Sequence, residues 1–87
     1  MKYRSRTEIT AQILETALGG VTKTKIMYRA FLSYVQLKEY LAVLLDNDLL
    51  RYDTASEKFK TTEKGLRFLK ITDELGRLAE PVVLGNK

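Results

Sequence analysis

The side chains able to act on a partner here are mostly cationic and aromatic. The chain has 15 lysines and arginines, five tyrosines and three phenylalanines, and no histidine or cysteine. Without imidazole or thiolate, zinc ligation, histidine acid–base catalysis and cysteine nucleophilic chemistry are excluded by inventory. Carboxylates remain, yet Asp46 and Asp48 fall near a helix end, where acids ordinarily serve as solvated caps. The chain is therefore read as a non-enzyme. Gly19-Gly20 is followed by Val-Thr, a turn composition and not a phosphate loop of the Gly-x-x-x-x-Gly-Lys kind. No cofactor and no small-molecule ligand are indicated.

The charge is unevenly placed. Residues 1–29 hold six basic and two acidic groups, a net of +4; residues 30–60 net −1 and residues 61–87 net +1. A basic front raises the expectation of a polyanionic partner, nucleic acid first and an acidic membrane surface second. Lys2, Arg4 and Arg6 make a basic arm around Tyr3, and Lys23, Lys25 and Arg29 lie on or near the outer side of a short helical segment. These six are the candidate phosphate contacts, although surface lysines commonly do no more than solvate a helix.

The elements that would position them follow from periodicity and capping. Ser5-Arg6-Thr7-Glu8 has capping-box spacing, and Ile9, Ile13, Leu14 and Ala17 give the first helix an inward face. Gly19-Gly20 should end it. Thr22 caps a second helix with Ile26, Met27 and Ala30 inward. After the joint Phe31-Leu32-Ser33, Ser33 caps a third helix whose Leu37, Leu41, Leu44 and Leu45 form an apolar stripe edged by Tyr40, with Asp48 as its polar exit. Two short helices around a tight joint are a helix-turn-helix pattern. Leu49–Asp53 and Lys58–Thr61 then read as strands around the polar turn Thr54-Ala55-Ser56-Glu57, with Phe59 and Thr61 inward and Lys58 and Lys60 outward. Such a hairpin after a helix-turn-helix is a wing.

Thr62 caps the last helix, and Gly65 marks a close backbone crossing. Leu66 and Leu69 are expected to face the chain's own core. Phe68, Ile71, Leu75, Leu78 and Val82 recur at 3, 4, 3 and 4, a heptad seam. One small domain cannot easily cover both apolar sides, so a homodimer through this helix is expected, as an antiparallel pair. Pro81 should stop the helix. The organisation is thus a winged helix-turn-helix domain at 1–61, a dimerisation helix at 62–81 and a flexible tail at 82–87. The fold class is mainly α (α+β), with three helices, a two-stranded hairpin wing and the C-terminal helix.

Thr24-Lys25-Ile26-Met27-Tyr28, Leu32-Ser33-Tyr34, Leu37-x-x-Tyr40-Leu41 and Phe59-x-x-Thr62-Glu63-Lys64-Gly65-x-x-Phe68-Leu69 together resemble a family of small archaeal winged-helix proteins. The resemblance runs from about Ser5 to Leu78. It implies a winged helix-turn-helix, binding to double-stranded DNA and a dimer through the C-terminal helix, with a role as a transcriptional regulator or a chromatin or nucleoid component. This chain departs from the coiled-coil members in its shorter last helix, cut by Pro81.

On that reading the first turns of the third helix enter the major groove. Ser33, Tyr34, Gln36, Lys38 and Glu39 are the recognition residues; glutamine can pair bidentately with adenine and lysine can reach guanine acceptors. Lys2, Arg4, Arg6, Lys23, Lys25 and Arg29 hold phosphates, with Lys58 and Lys60 on the wing. Against this, Val35, Glu39, Ala42, Val43 and Asp46 make the outer side of the third helix non-basic beyond its first turns. A winged helix that binds protein instead of DNA is the alternative. The longest apolar run, Leu41 to Leu45, is too short for a membrane span, and the N-terminus lacks a signal peptide's apolar core. A cytoplasmic, nucleoid location is expected.

Overall fold

A computed structural model describes residues 4–84, with side-chain surroundings given through Leu78. The elements run α1 (Arg6–Thr16), α2 (Lys23–Arg29), α3 (Tyr34–Asp46), β1 (Leu50–Asp53), β2 (Lys58–Thr61) and α4 (Glu63–Leu84). Each of the first three helices starts where its cap residue stands. The Ser5 hydroxyl accepts from the Glu8 N–H at 3.1 Å while Glu8 accepts from the Ser5 N–H at 2.9 Å. Ser33 and Gln36 form the same capping box on α3, and Thr22 caps α2 through its hydroxyl alone, accepting from the Lys25 N–H. At α4 the Thr62 hydroxyl accepts from the Gly65 N–H at 3.1 Å.

The core is one cluster. Ile13, Leu14 and Ala17 of α1 and its end, Ile26 and Ala30 around α2, Leu32, Leu37, Leu41 and Leu44 around α3, and Leu50 and Phe59 of the hairpin are all buried. Leu45 departs from the expected stripe: it lies at the edge beside Leu41, 38% exposed, and borders the wing residues Tyr52 and Phe59. A face of Leu37, Leu41 and Leu44 already fills the inward side of a helix with 3.6 residues per turn.

The helix ends show what the core demands. α1 stops at Thr16, ahead of the glycine pair, because β2 claims its last carbonyls: the Thr61 N–H donates to Ala17 O at 3.0 Å and the Thr61 hydroxyl to Leu14 O at 2.6 Å. Gly20, at φ 92°, then turns the chain. α2 and α3 both end in a Schellman motif. In α2 the Phe31 N–H donates to Tyr28 O and the Leu32 N–H to Met27 O; in α3 the Asp48 N–H donates to Leu45 O and the Leu49 N–H to Leu44 O. The left-handed residue, ordinarily glycine, is Phe31 (φ 54°) in one and Asp48 (φ 62°) in the other.

β1 and β2 pair antiparallel, Leu50 with Thr61 and Asp53 with Lys58 at the two ends. The hairpin is tied down on both sides. Val21 exchanges two backbone hydrogen bonds with Phe59, at 2.9 and 2.7 Å. The Thr62 N–H donates to Leu49 O at 3.1 Å. Gly65 is needed here: a Cβ on it would lie 2.5 Å from both Leu49 O and Thr61 Cγ2.

α4 corrects two expectations. Pro81 does not end it, since the helix continues to Leu84 and takes in Val82, which the sequence placed in a flexible tail. Proline's fixed φ is helical; it deletes one N–H and crowds one carbonyl without forcing the next residues out of the helix. Phe68, assigned to the dimer seam, packs with Leu69 on the chain's own core, whereas Leu66, expected inward, is 48% exposed. The beginning of α4 is turned by the Gly65 crossing, which selects the side that α1 covers. At 22 residues α4 is about 33 Å long.

Candidate nucleic-acid interface

The strongest positive feature lies at the start of α3. Tyr34 is 54% exposed, and the Nζ atoms of Lys23 and Lys38 each stand 5.5 Å from its ring centroid. Lys38 is one turn on in the same helix; Lys23 comes from the first turn of α2. The ring's negative face holds both cations, an arrangement that orients them at modest energy, ~0.5–1 kcal/mol each at an exposed site. It sits at the N-terminus of a 13-residue helix, where the backbone dipole is positive.

The cap beneath it limits what Gln36 can do. The Ser33 N–H donates to Gln36 Oε1 at 3.0 Å, and the Ser33 hydroxyl accepts from the Gln36 N–H at 3.2 Å. With its carbonyl oxygen engaged, Gln36 presents only its NH2 group, and bidentate pairing with adenine would require the cap to open. Ser33 is likewise committed to the cap. Tyr34, Lys38 and Glu39 are the recognition residues left free, all exposed. The rest of the outer side of α3 carries exposed Val35, Ala42, Val43 and Asp46.

Of the expected phosphate contacts, Lys23, Lys25, Arg29 and Arg6 are exposed, and Lys2 lies outside the described residues. Arg4 is drawn into the fold. Its guanidinium donates to Ala30 O at 2.6 Å, to Phe31 O at 3.2 Å and to Gln12 Oε1 at 2.5 Å. Those carbonyls are the open C-terminal end of α2, which attracts a cation. Arg4 therefore fastens the N-terminal arm to the α2–α3 joint.

On the wing Lys58 and Lys60 are exposed, and Arg51 stands opposite Lys60 in the register. Like charges directly opposite are unfavourable in a sheet, so Arg51 and Lys60 form a positive pair that the fold itself does not reward. The alternation of β1 places Arg51 on that face, and no local motif marks it. Asp53 opposes Lys58. The Ser56 hydroxyl donates to Asp53 Oδ2 at 2.6 Å and, with the Ser56 N–H, holds this exposed carboxyl below its ordinary range. Thr22, Lys23, Thr24, Leu45, Tyr52, Ser56, Glu57 and Phe59 line an open groove of about 670 Å³ between the start of α2, the end of α3 and the wing. Lys23 thus borders both this groove and the Tyr34 cluster, while Glu57 adds a negative charge at its wing side.

A second surface is apolar. Ile71, Leu75 and Leu78 of α4 are 57, 59 and 72% exposed, at heptad spacing. The side chain of Val82 is outside the described set. No described helix is long and apolar enough to cross a membrane.

This geometry agrees with comparisons to known proteins. A solved structure described as Sso10a-2, a DNA-binding protein from Sulfolobus solfataricus, superposes with a TM-score of 0.83 at 25% identity, covering 95% of this chain and 90% of that one. No curated protein matches the chain. The family model for the winged helix-turn-helix matches residues 3–80. With a capped α3 behind a tight joint, a tethered hairpin and a fourth helix crossing at Gly65, the chain belongs to the winged helix-turn-helix family.

Proposed function

We propose that this chain binds double-stranded DNA as a homodimer, as a transcriptional regulator or a nucleoid component. The observation that carries the reading is the Lys23–Tyr34–Lys38 cluster at the head of α3. It sets two cations from different helices at the first turns of α3, with Glu39 beside Lys38. Lys25, Arg29 and Arg6 extend the positive surface, and Arg51, Lys58 and Lys60 supply it on the wing. The similarity to an archaeal DNA-binding protein supports the same reading. Phosphate contacts would fix register, and Tyr34, Lys38 and Glu39 would meet base edges.

The twin copy would sit on α4, whose Ile71, Leu75 and Leu78 lack a cover within the chain. Burying a large apolar side chain contributes about 1.5–3 kcal/mol, and association costs roughly 4–15 kcal/mol, so three such residues per chain permit a dimer without requiring one. A rod of about 33 Å is close to the ~34 Å between successive major-groove faces.

The test is a salt titration of duplex affinity for Lys23→Ala/Lys38→Ala. Each lost phosphate contact should flatten the slope of log affinity against log salt by about 0.9, so loss of Lys23 should flatten it by about 0.9, while loss of the base reader Lys38 lowers affinity further. An unchanged slope and affinity would favour the second reading, a protein-binding winged helix using the exposed Val35 and Val43 of α3.

A further inference from the structure

We infer that the outer side of α2 is a stacking platform for unpaired bases of a single nucleic-acid strand, separate from the α3 surface proposed for duplex DNA. Tyr28 and Phe31 are 71 and 79% exposed, Phe31 being the most exposed large apolar residue described. They are backbone neighbours: the Phe31 N–H donates to Tyr28 O at 3.3 Å. Tyr28 lies opposite the inward Ile26 and Ala30, and Lys25, one turn before it, shares its side of the helix.

Phe31 occupies the left-handed position of a Schellman turn, φ 54°, where glycine avoids the crowding that a Cβ brings. The chain thus holds an aromatic ring in solvent on an unfavourable backbone, outside the core cluster of the described residues. Outliers of this kind gather where a ligand is met. The joint is held firm: Arg4 donates to both Ala30 O and Phe31 O, so the ring projects from a fixed point.

The charge around these rings selects the occupant. From Thr16 to Lys38 the sequence contains no acid, and α2 itself carries Lys25 and Arg29 beside these rings. A partner with exposed flat apolar faces and a regular negative charge fits aromatic rings interleaved with cations. A single strand has both; a duplex hides its base faces inside the stack. Tyr34 does not belong to the platform, because Lys23 and Lys38 already lie over its ring.

The experiment measures binding of the full chain to fluorescent oligo(dT) and to a duplex of mixed sequence, by anisotropy at low salt. Phe31→Asn tolerates the left-handed backbone but removes the ring; Tyr28→Ala removes the other. Each should weaken oligo(dT) binding about tenfold, the typical effect of removing one stacking ring, while duplex affinity stays within about twofold of the parent. Phe31→Trp should retain single-strand binding and, as the chain has no other tryptophan, show fluorescence quenching when oligo(dT) is added. Far-UV circular dichroism confirms that each variant is folded. The proposal is overturned by unchanged oligo(dT) affinity, by equal losses on duplex and single strand, or by losses that appear only with anionic phospholipid vesicles. A fall in the mass of the unliganded protein, which would assign the rings to a copy of the chain, also overturns it. Loss of duplex binding in Lys23→Ala/Lys38→Ala with oligo(dT) binding retained separates the two sites.

Discussion

Two glycines of α4 should respond to alanine with opposite sign. At Gly65 the added Cβ would meet Leu49 O and Thr61 Cγ2 at 2.5 Å. Ordinary contact begins near 3.4 Å, so α4 must move away from the wing by several tenths of an ångström or more. That motion strains the Thr62 N–H to Leu49 O hydrogen bond, 3.1 Å long, which joins α4 to the strand. Overpacking costs about 1–3 kcal/mol and a disturbed hydrogen bond roughly 0.5–1.5 kcal/mol. Against these stands a gain of about 1 kcal/mol from replacing a helical glycine with alanine. The net is a loss of about 0.5–3.5 kcal/mol from these same magnitudes. At Gly76 nothing stands within 4 Å of the new methyl, so only the propensity gain applies, about 1 kcal/mol. For a domain of this size each kcal/mol moves the melting temperature by about 4–8 °C. Urea denaturation at one fixed protein concentration gives both values. A Gly65→Ala variant as stable as the parent would refute the close crossing; a destabilised Gly76→Ala would mean that a second helix closes on that position.

Three further outcomes are expected. Ile71→Glu/Leu75→Glu should leave a folded monomer by light scattering with circular dichroism; a dimer mass would remove α4 as the interface. Thr61→Val deletes the buried hydroxyl that donates to Leu14 O and should cost about 1–3 kcal/mol, since that carbonyl stays buried without this donor; a change below ~0.5 kcal/mol, a typical surface effect, would contradict the buried contact. Ser56→Ala should raise the Asp53 pKa toward its ordinary value in an NMR titration. Because the folded value is lowered, Asp53 favours the wing turn above the ordinary carboxylate pKa, and that contribution is lost as pH falls through the lowered value. An unmoved titration midpoint in the variant would place the cause elsewhere.

Much of this protein is written locally in its sequence. Helix starts depend on a cap hydroxyl and a partner three residues on, so Ser5, Thr22, Ser33 and Thr62 were legible as such. The alternation around Phe59 gave the inward face of the wing for the same reason, and Gly65 stood out as a close crossing. What the tertiary structure alone decided involves groups far apart in the chain. Arg4 reads as a free cation until the α2 carbonyls, 26 and 27 residues away, claim it. Gln36 reads as a base reader until its carbonyl is seen in the cap. Lys23 meets Tyr34 across the α2–α3 joint, from a different helix. The choice between Phe68 and Leu66 as the covered side of α4 follows from the crossing angle at Gly65. Periodicity locates an apolar face on a helix, but which neighbour covers it is fixed by how the helices cross.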